Sequence, residues 1–178
     1  MKTIAVVLEN GFEEIEAVTP FDVLIRAGFR CEFVSTKSES VTSSRGIVIK
    51  TKKVTSLDSY DMIVLPGGMP GAKNLSENAI VLDAVRSFLQ EGKKVAAICA
   101  APALVLTAAG VTAGRKVTCY PGMETNFKDA DFSEDCVVTD GNLITSRGPA
   151  TAMEFAFTLA DELGGNSQPV KDGMLYIR

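Results

Sequence analysis

Short apolar runs alternate with amphipathic stretches along the chain. Continuous apolar runs are typical of strands buried on both faces of a sheet, and they occupy residues 3–8, 61–65 and 95–98. Residues 30–34 alternate polar and apolar side chains, as a half-exposed strand does. Helical spacing fills the intervening stretches, over about 13–27, 79–89, 101–109 and 149–163. This alternation predicts βαβ units and therefore an α/β fold with a mainly parallel central sheet.

Several stretches depart from that simple alternation. Pro20 interrupts the first helical stretch and predicts either a kink or the start of a second helical segment. Residues 38–53 have β-branched and turn residues without a helical period, which predicts a hairpin-like insertion. Further strands are predicted at 117–119, 136–138 and 142–145. Since no linker or internal repeat separates these elements, we expect one domain over residues 1–178.

Composition narrows the class of protein. The chain has 178 residues, 46% of them hydrophobic, and a formal net charge of −4. An acidic balance disfavours a nucleic-acid partner, and the absence of basic runs disfavours a membrane surface. No apolar run approaches the roughly 20 residues of a membrane span, and the N-terminus does not resemble a signal peptide. We therefore expect a cytoplasmic protein without a nucleic-acid or membrane partner.

The chain contains four cysteines and no histidine. Without histidine, Cys-His and Ser-His dyads and histidine-based metal sites are excluded. No C-x-x-C pair and no glycine-rich phosphate motif occurs. We therefore expect no metal and no cofactor. Cys31 and Cys136 are interpreted as core residues, and Cys119 as a weaker candidate for a redox-sensitive thiol.

Polar or glycine-rich turns follow five of the predicted strands. They are Glu9–Glu16, Pro66–Gly68, Cys99–Pro102, Tyr120–Pro121 and Ser146–Pro149. In open α/β sheets, ligands bind outside the carboxyl ends of the strands. The convergence of these turns therefore predicts a site at that edge of the sheet.

Cys99 stands where a predicted strand gives way to a helix, among the small residues Ala97, Ala100 and Ala101. A nucleophile elbow needs such a sharp turn with small neighbours. A helix N-terminus beside a thiol lowers its pKa, which predicts a resting thiolate. The alternative is a buried structural cysteine, and position alone favours neither interpretation.

Two other features at this edge are ambiguous from the residues alone. Gly67 and Gly68 allow close approach of the backbone to a ligand and could direct N–H groups at an oxyanion, or form a plain turn. Glu13, Glu14 and Glu16 begin a helix, where acidic residues are usually solvated. One of the three carboxyl groups could instead be buried near Cys99 and carry protons to and from it.

Taken together, the segments resemble one known superfamily. They are GFEEIEAVTPFDVLIRAG, DMIVLPGGMPGAKNL, VAAICAAPALVL, KVTCYP and LITSRGPATAMEFA. Their order along nearly the whole chain resembles the ThiJ/PfpI superfamily, in the branch of the parkinsonism-associated deglycase and its bacterial relatives. The resemblance implies a flavodoxin-like three-layer sandwich with a cysteine nucleophile elbow, and a homodimer.

The resemblance also implies roles for individual residues. Cys99 is implied as the nucleophilic, readily oxidised cysteine, and Glu16 as its protonated carboxyl partner. The backbone N–H groups of Gly68 and Ala100 are implied as oxyanion donors. Further candidates to line the site are Gly67, Tyr120, Pro149, Arg26 and Arg45, the two arginines at a dimer interface. Tyr120 stands where relatives often have histidine, and a tyrosine with an ordinary pKa near ~10 is a poor base at neutral pH.

The residues and the resemblance together suggest three functions. The resemblance implies a cofactor-free glyoxalase or protein deglycase that acts on methylglyoxal, glyoxal or their early protein adducts through Cys99 and Glu16. The alternative is a redox-sensing stress protein, chaperone-like, whose Cys99 is oxidised to sulfinate. Thiamine or thiazole metabolism is more remote, because no motif for a phosphate or thiazole site is visible in the sequence.

Overall fold

A seven-stranded sheet forms the centre of the computed structural model, which describes residues 1–177. The strands of the protein are β1 (Thr3–Val7), β2 (Arg30–Ser35), β3 (Ser40–Thr42), β4 (Val48–Lys50), β5 (Lys52–Lys53), β6 (Met62–Leu65), β7 (Lys94–Ile98), β8 (Lys116–Val117), β9 (Asp131–Phe132), β10 (Val137–Asp140) and β11 (Leu143–Ser146). The central sheet has the order β10-β11-β7-β6-β1-β2-β5. All its pairs are parallel except β10 with β11.

The chain reverses its direction of travel across the sheet between β1 and β6. It runs outwards from β1 to β2 and β5, and returns to β6 and then β7. It next forms the edge strand β10 and turns back to place β11 between β10 and β7. The five principal parallel strands therefore stand in the flavodoxin-like order, with the switch point at β1 and β6. Since parallel strands share one direction, the loops that follow β1, β6, β7 and β11 meet at the same edge, beside this switch point.

Helices cover the two faces of the sheet. They are α1 (Glu14–Arg26), α2 (Gly71–Ser76), α3 (Ala79–Gln90), α4 (Thr107–Ala109), α5 (Ala152–Glu162) and α6 (Gln168–Gly173). Helix α1 packs against α5, whereas α3 packs against α2, α4 and β7. Right-handed crossovers that run in opposite directions across the sheet place α1 and α3 on opposite faces. The predicted flavodoxin-like α/β sandwich is confirmed.

The continuous apolar runs form the middle of the core. The side chains of Ile4–Val7, Met62–Leu65 and Val95–Ile98 are fully buried, as expected for parallel strands covered on both faces. The half-exposed strand predicted at 30–34 is β2, and its Phe33 stacks on Phe21 of α1 with ring centroids 4.0 Å apart. Burial of these runs supplies the rigid support on which the loops at the sheet edge are held.

Three elements differ from the sequence-based expectation. Pro20 lies inside a single helix α1, as a buried residue. The helical stretch at 101–109 includes a π-helical turn at Pro102–Leu106 before α4. The strand predicted at 117–119 is wrong as placed, because β8 pairs only with β9, outside the central sheet. Beyond Val117, the N–H of Thr118 donates to the hydroxyl of Thr145, 3.0 Å away, instead of continuing the ladder.

The insertion at 38–53 contains the expected hairpin, β3 with β4, and then adds β5 to the edge of the central sheet. The interpretation of Cys136 as a core residue is wrong: it is exposed, because it precedes the edge strand β10. Within residues 1–177, no helix is both long and apolar enough to cross a membrane.

Candidate active site

Cys99 occupies a strained turn between β7 and the helical segment that begins at Ala100. Its φ is 64°, a left-handed conformation that side-chain-bearing residues seldom adopt. Backbone hydrogen bonds hold this turn on both sides. The Cys99 N–H donates to the carbonyl of Ser146 at 3.0 Å, and the N–H of Tyr120 donates to the carbonyl of Cys99 at 2.9 Å. The predicted elbow geometry is therefore present, fixed by the loops after two other strands.

Glu16 lies fully buried next to the elbow. Its Oε2 accepts a hydrogen bond from the N–H of Gly67 at 2.9 Å. Its Oε1 is buried, and no donor with hydrogen-bond geometry reaches it from residues 1–177. A carboxylate oxygen without a donor is costly to bury, whereas a protonated carboxyl group carries a smaller penalty. The surroundings of Glu16 therefore favour a carboxyl group that holds a proton.

Gly67 is the residue that lets these groups approach one another. A Cβ at this position would lie 2.6 Å from the Cβ of Cys99 and 2.7 Å from Oε2 of Glu16. Its neighbour Gly68 has a φ of +86°, and a Cβ there would lie 2.4 Å from the backbone nitrogen of Glu13. The Gly-Gly pair is thus required by close packing between the elbow and the start of α1.

The electrostatics of Glu16 follow from this burial. Loss of solvent raises the pKa of Glu16 to about 7, and the negative charge of Glu13 adds to the rise. The Cys99 thiol, the Gly67 N–H and the guanidinium of Arg45 act in the opposite direction. A carboxyl group with this pKa can take up and release a proton near neutral pH.

The burial of Cys99 acts against the resting thiolate predicted from the sequence. Burial raises the pKa of the Cys99 thiol to about 12, with the adjoining Glu16 carboxylate as the next contribution. The backbone N–H groups of Gly68 and Ala100 lower this pKa, but by less than burial raises it. The helix N-terminus was thus correctly identified as a stabilising element, whereas the cost of burying a second negative charge beside Glu16 was not anticipated.

The structure shows that the three glutamates at the start of α1 have different surroundings. Glu16 lies beside the thiol. Glu13 caps α1, its Oε2 accepting from the Glu16 N–H at 2.8 Å. Glu14 points to the β3–β4 turn, where it accepts hydrogen bonds from the hydroxyl of Ser43 and, at 2.8 Å, from the N–H of Arg45.

An open cavity of about 480 Å³ lies above Cys99. It is lined by Glu13, Ser44, Arg45, Gly68, Met69, Cys99, Tyr120 and Pro149. The structure thus brings Arg45, Tyr120 and Pro149 to the same cavity as Cys99. Ser44 and Met69 were not identified from the sequence, because neither residue type signals chemistry and their turns are placed only by the folded chain.

Arg26 does not line this cavity within one chain, and its place beside the site at a dimer interface stays a prediction. It stands in the last turn of α1, ten residues and therefore about 15 Å along the helix from Glu16. Its guanidinium pairs with Asp22 at 2.8 Å on the exposed side of the helix. Within one chain, Arg26 is thus directed away from the thiol.

The remaining buried cysteines have no comparable surroundings. Burial raises the pKa of Cys31 to about 12 and that of Cys119 to about 11. Cys31 lies in the core, as expected. The Cys119 thiol contacts the carbonyl of Tyr120 at 3.4 Å. A raised thiol pKa disfavours Cys119 as a second redox-sensitive thiol.

Known proteins match the sequence of this chain along most of its length. The chain is 42% identical to protein dj-1beta of Drosophila melanogaster, over 98% of this chain and 97% of that protein. It is 41% identical to the Parkinson disease protein 7 homolog of Danio rerio, over 92% and 90% respectively. It is 34% identical to the glutathione-independent glyoxalase DJR-1.2 of Caenorhabditis elegans, over 86% and 83%.

Solved structures agree with the fold. The crystal structure of Drosophila melanogaster DJ-1beta superposes with a TM-score of 0.93 at 40% identity, covering 99% of each chain. The oxidized form of Toxoplasma gondii DJ-1 superposes with a TM-score of 0.94 at 34% identity, covering 100% of each chain. The model of the DJ-1/PfpI family matches residues 2–162. The resemblance drawn from the sequence motifs is confirmed, and the chain belongs to the DJ-1/PfpI family.

Proposed function

We propose that this protein is a cofactor-independent glyoxalase, with protein deglycation as an extension of the same chemistry to adducts on side chains. The observation that carries the proposal is the contact of one thiol, Cys99, with one buried carboxyl group, Glu16, below an open cavity. A relative from Caenorhabditis elegans that is 34% identical is named a glutathione-independent glyoxalase, which supports the same assignment here. Reduced thiols fit a reducing compartment, and we place the activity in the cytoplasm.

The first step is attack of the Cys99 sulfur on the aldehyde carbon of methylglyoxal. As the C–S bond forms, the Glu16 carboxylate accepts the thiol proton, because its pKa of about 7 is matched to neutral pH. The former carbonyl oxygen becomes an oxyanion beside the N–H groups of Gly68 and Ala100, which stabilise it. Return of the proton from Glu16 to this oxygen gives a neutral hemithioacetal.

The second step moves hydrogen between the two carbon atoms. Glu16 removes the proton from the former aldehyde carbon while the neighbouring ketone oxygen takes up a proton, giving an enediol. A proton is then added to the adjacent carbon and the hydroxyl on the sulfur-bearing carbon releases its proton, giving a thioester of lactate on Cys99. Water then hydrolyses the thioester and regenerates the thiol. One carbon is oxidised while its neighbour is reduced, so methylglyoxal and water give lactate without an external oxidant.

The direct test is lactate formation from methylglyoxal, compared among the wild type, Cys99→Ser and Glu16→Gln. We expect both variants to lose at least a hundredfold in kcat/KM, because each removes one partner of the proton transfer. Cys136→Ser is the matched control, since it replaces an exposed cysteine outside the site. Equal turnover by the wild type and Cys99→Ser would overturn the proposal. Glycated peptides assayed in parallel test the deglycase extension.

A second function, redox sensing through Cys99, rests on a separate observation. The backbone N–H groups of Gly68 and Ala100 point at the sulfur, and such donors would also stabilise the oxygen atoms of a sulfinate. A structure of the Toxoplasma gondii relative is described as oxidized. Intact mass after mild peroxide should show a two-oxygen adduct on Cys99 and none on the other cysteines. A chain that stays unmodified at Cys99 would exclude this function.

We further propose that the protein acts as a homodimer. Ile15, Val18 and Ile25 lie along one side of α1 with 51%, 45% and 45% of their surface exposed. Ile47 and Val48, in and after the β3–β4 turn, are 54% and 64% exposed. Apolar side chains grouped in this way on a surface are typical of protein–protein interfaces.

Replacement of Val18 by Glu tests the dimer. A charge buried at the centre of an apolar interface should convert a dimer into a monomer at micromolar concentration, measured by sedimentation velocity. Gln90→Glu is the control, because Gln90 is an exposed residue at the end of α3, on the opposite face of the sheet from α1. A wild type that sediments as a monomer throughout would contradict the proposal.

A further inference from the structure

Glu13 lies between the elbow, α1 and the β3–β4 turn, where it caps α1. Its side chain is only 9% exposed. Oε2 accepts from the N–H of Glu16 at 2.8 Å, and Oε1 lies 3.6 Å from a guanidinium nitrogen of Arg45. The same carboxyl group borders the cavity above Cys99.

Glu13 and Glu16 both form hydrogen bonds with the backbone of Gly67. The N–H of Gly67 donates to Oε2 of Glu16 at 2.9 Å, and the carbonyl of Gly67 accepts from the N–H of Glu13 at 3.0 Å. The start of α1 is thus tied to the loop that also carries Gly68. Any change at Glu13 that loosens the cap therefore moves the Glu16 carboxyl group relative to the thiol.

The residue type at the cap is itself informative. Serine, threonine, aspartate and asparagine are the residues that cap helices best, and glutamate is not among them. A shorter side chain would satisfy the Glu16 N–H without placing a second carboxylate oxygen at the cavity. The cap alone therefore does not account for a glutamate at this position.

The charges that face Glu16 come from three elements. Glu13 contributes a negative charge from the helix cap, Arg45 a positive charge from the β3–β4 turn, and Cys99 a thiol from the elbow. A negative neighbour opposes ionisation of a carboxyl group, and a positive neighbour favours it. Glu13 and Arg45 thus act on Glu16 with opposite signs and also pair with each other.

We propose that Glu13 is a positioning residue of the site: its carboxylate fixes Glu16 beside Cys99 through the helix cap, and its charge adds to the burial that keeps a proton on Glu16, with Arg45 as the counter-charge. The role rests on the proposed glyoxalase, because it concerns the carboxyl group that transfers protons there. Glu13 thus influences the reaction by positioning Glu16, without touching the substrate.

Glu13→Gln separates the two parts of the role. The amide oxygen of glutamine can still accept from the Glu16 N–H, so the cap remains while the charge is removed. Glu16 is then a carboxylate at a lower pH and can accept the thiol proton there as a general base, so alkylation of Cys99 should accelerate at a lower pH than in the wild type. Arg45→Gln removes the counter-charge and should shift the same profile to higher pH.

The experiment measures the rate of Cys99 alkylation by iodoacetamide against pH, followed by peptide mass, with lactate formation as a second readout. We expect the rise in rate to move down by roughly 0.5–1 pH unit in Glu13→Gln, and up in Arg45→Gln. Asp22→Asn, which removes a charge from an exposed position of the same helix, should leave the profile unchanged.

Superposition of the Glu13→Gln and Arg45→Gln profiles on that of the wild type would overturn the inference, as would an equal shift in Asp22→Asn. If Glu13→Gln does not fold, the inference is tested by Arg45→Gln, whose alkylation profile should shift to higher pH. Alkylation does not require turnover, so a shifted profile without lactate formation would contradict the glyoxalase and leave the role of Glu13 standing.

Discussion

Gly67 shows at the scale of one residue how tightly the site is packed. An added Cβ would approach the Cβ of Cys99, Oε2 of Glu16 and the backbone nitrogen of Ala100 at 2.6, 2.7 and 3.0 Å. Such distances are far inside van der Waals contact, and two of the three atoms belong to groups that cannot move away without distorting the elbow.

Gly67→Ala is therefore expected to destabilise the protein by about 1–3 kcal/mol and to reduce turnover by more than tenfold. Urea unfolding and methylglyoxal turnover measure the two effects. Gly173→Ala is the matched control, since a Cβ there meets nothing within 4 Å. Wild-type activity in Gly67→Ala would mean that the elbow and Glu16 can separate without loss of function.

The sequence could identify Cys99 but not its chemical state. A strand followed by small residues and a helix is a local pattern, and it predicted the elbow correctly. The choice of Glu16 over Glu13 and Glu14 required the family resemblance, because the direction of each side chain depends on where α1 begins. That start is set by the contact of the Glu13 N–H with the carbonyl of Gly67, far away in the sequence.

At the scale of elements, the β3–β4 turn is held over the cavity by Glu14. The Ser43 hydroxyl and the Arg45 N–H both donate to this carboxylate, and the Arg45 guanidinium lies 3.3 Å from it. Burial is the largest single influence on Glu14 and raises its pKa, but the hydrogen bonds from Ser43 and Arg45 together outweigh it and lower the pKa. The turn that presents Arg45 to the site is thus attached to the first turn of α1.

Glu14→Ala should release this turn. We expect faster hydrogen exchange at the Arg45 amide and a several-fold higher KM, with kcat changed less than twofold, because the reacting groups stay in place. The loss of stability should be about 1–3 kcal/mol, because the Ser43 hydroxyl and the Arg45 N–H lose a charged acceptor that is only 12% exposed. Glu39→Ala, at an exposed position just before the same hairpin, serves as the control. Unchanged exchange at Arg45 would show that Glu14 does not anchor the turn.

The sequence predicted the hairpin but not its location above Cys99. Period and turn residues report local structure, whereas the ties from Glu14 to Ser43 and Arg45 join segments about thirty residues apart. The misplaced strand at 117–119 has a similar cause. Its apolar start predicts a strand, but the Thr145 hydroxyl captures the Thr118 N–H and ends the ladder.

At the scale of the whole molecule, the switch point of the sheet and the site coincide. The loops after β1, β6, β7 and β11 supply Glu16, Gly67, Cys99 and Pro149. The convergence of these loops was predictable from the alternation of strands and helices, because parallel strands end at one edge and ligands bind there. The flavodoxin-like arrangement itself was implied by the family resemblance. The energetic consequence of burying Glu16 there was not predictable, since burial depends on every layer of the fold.

Burial of Glu16 should reduce the stability of the folded chain as the pH rises. The folded state raises the pKa of Glu16 from 4.5 to about 7, so it binds this proton more tightly than the unfolded state does. The contribution of Glu16 to the free energy of unfolding is therefore greatest below about pH 4.5, and it falls as the pH rises towards 7. The shift corresponds to a loss on the order of 3 kcal/mol at pH 8.

Glu16→Gln removes this dependence, because an amide resembles the protonated carboxyl group and does not ionise. Urea unfolding of the wild type and the variant should therefore give similar free energies near pH 5. At pH 8 the variant should be more stable by a few kcal/mol while lacking activity. Glu77→Gln, at an exposed position, should have the stability of the wild type at both pH values.

A wild type and a Glu16→Gln variant with parallel stability curves would show that the ionised carboxylate is fully compensated in the folded protein. If instead the stability advantage of Glu16→Gln over the wild type grows over the same pH range in which wild-type activity rises, both properties depend on the proton of Glu16.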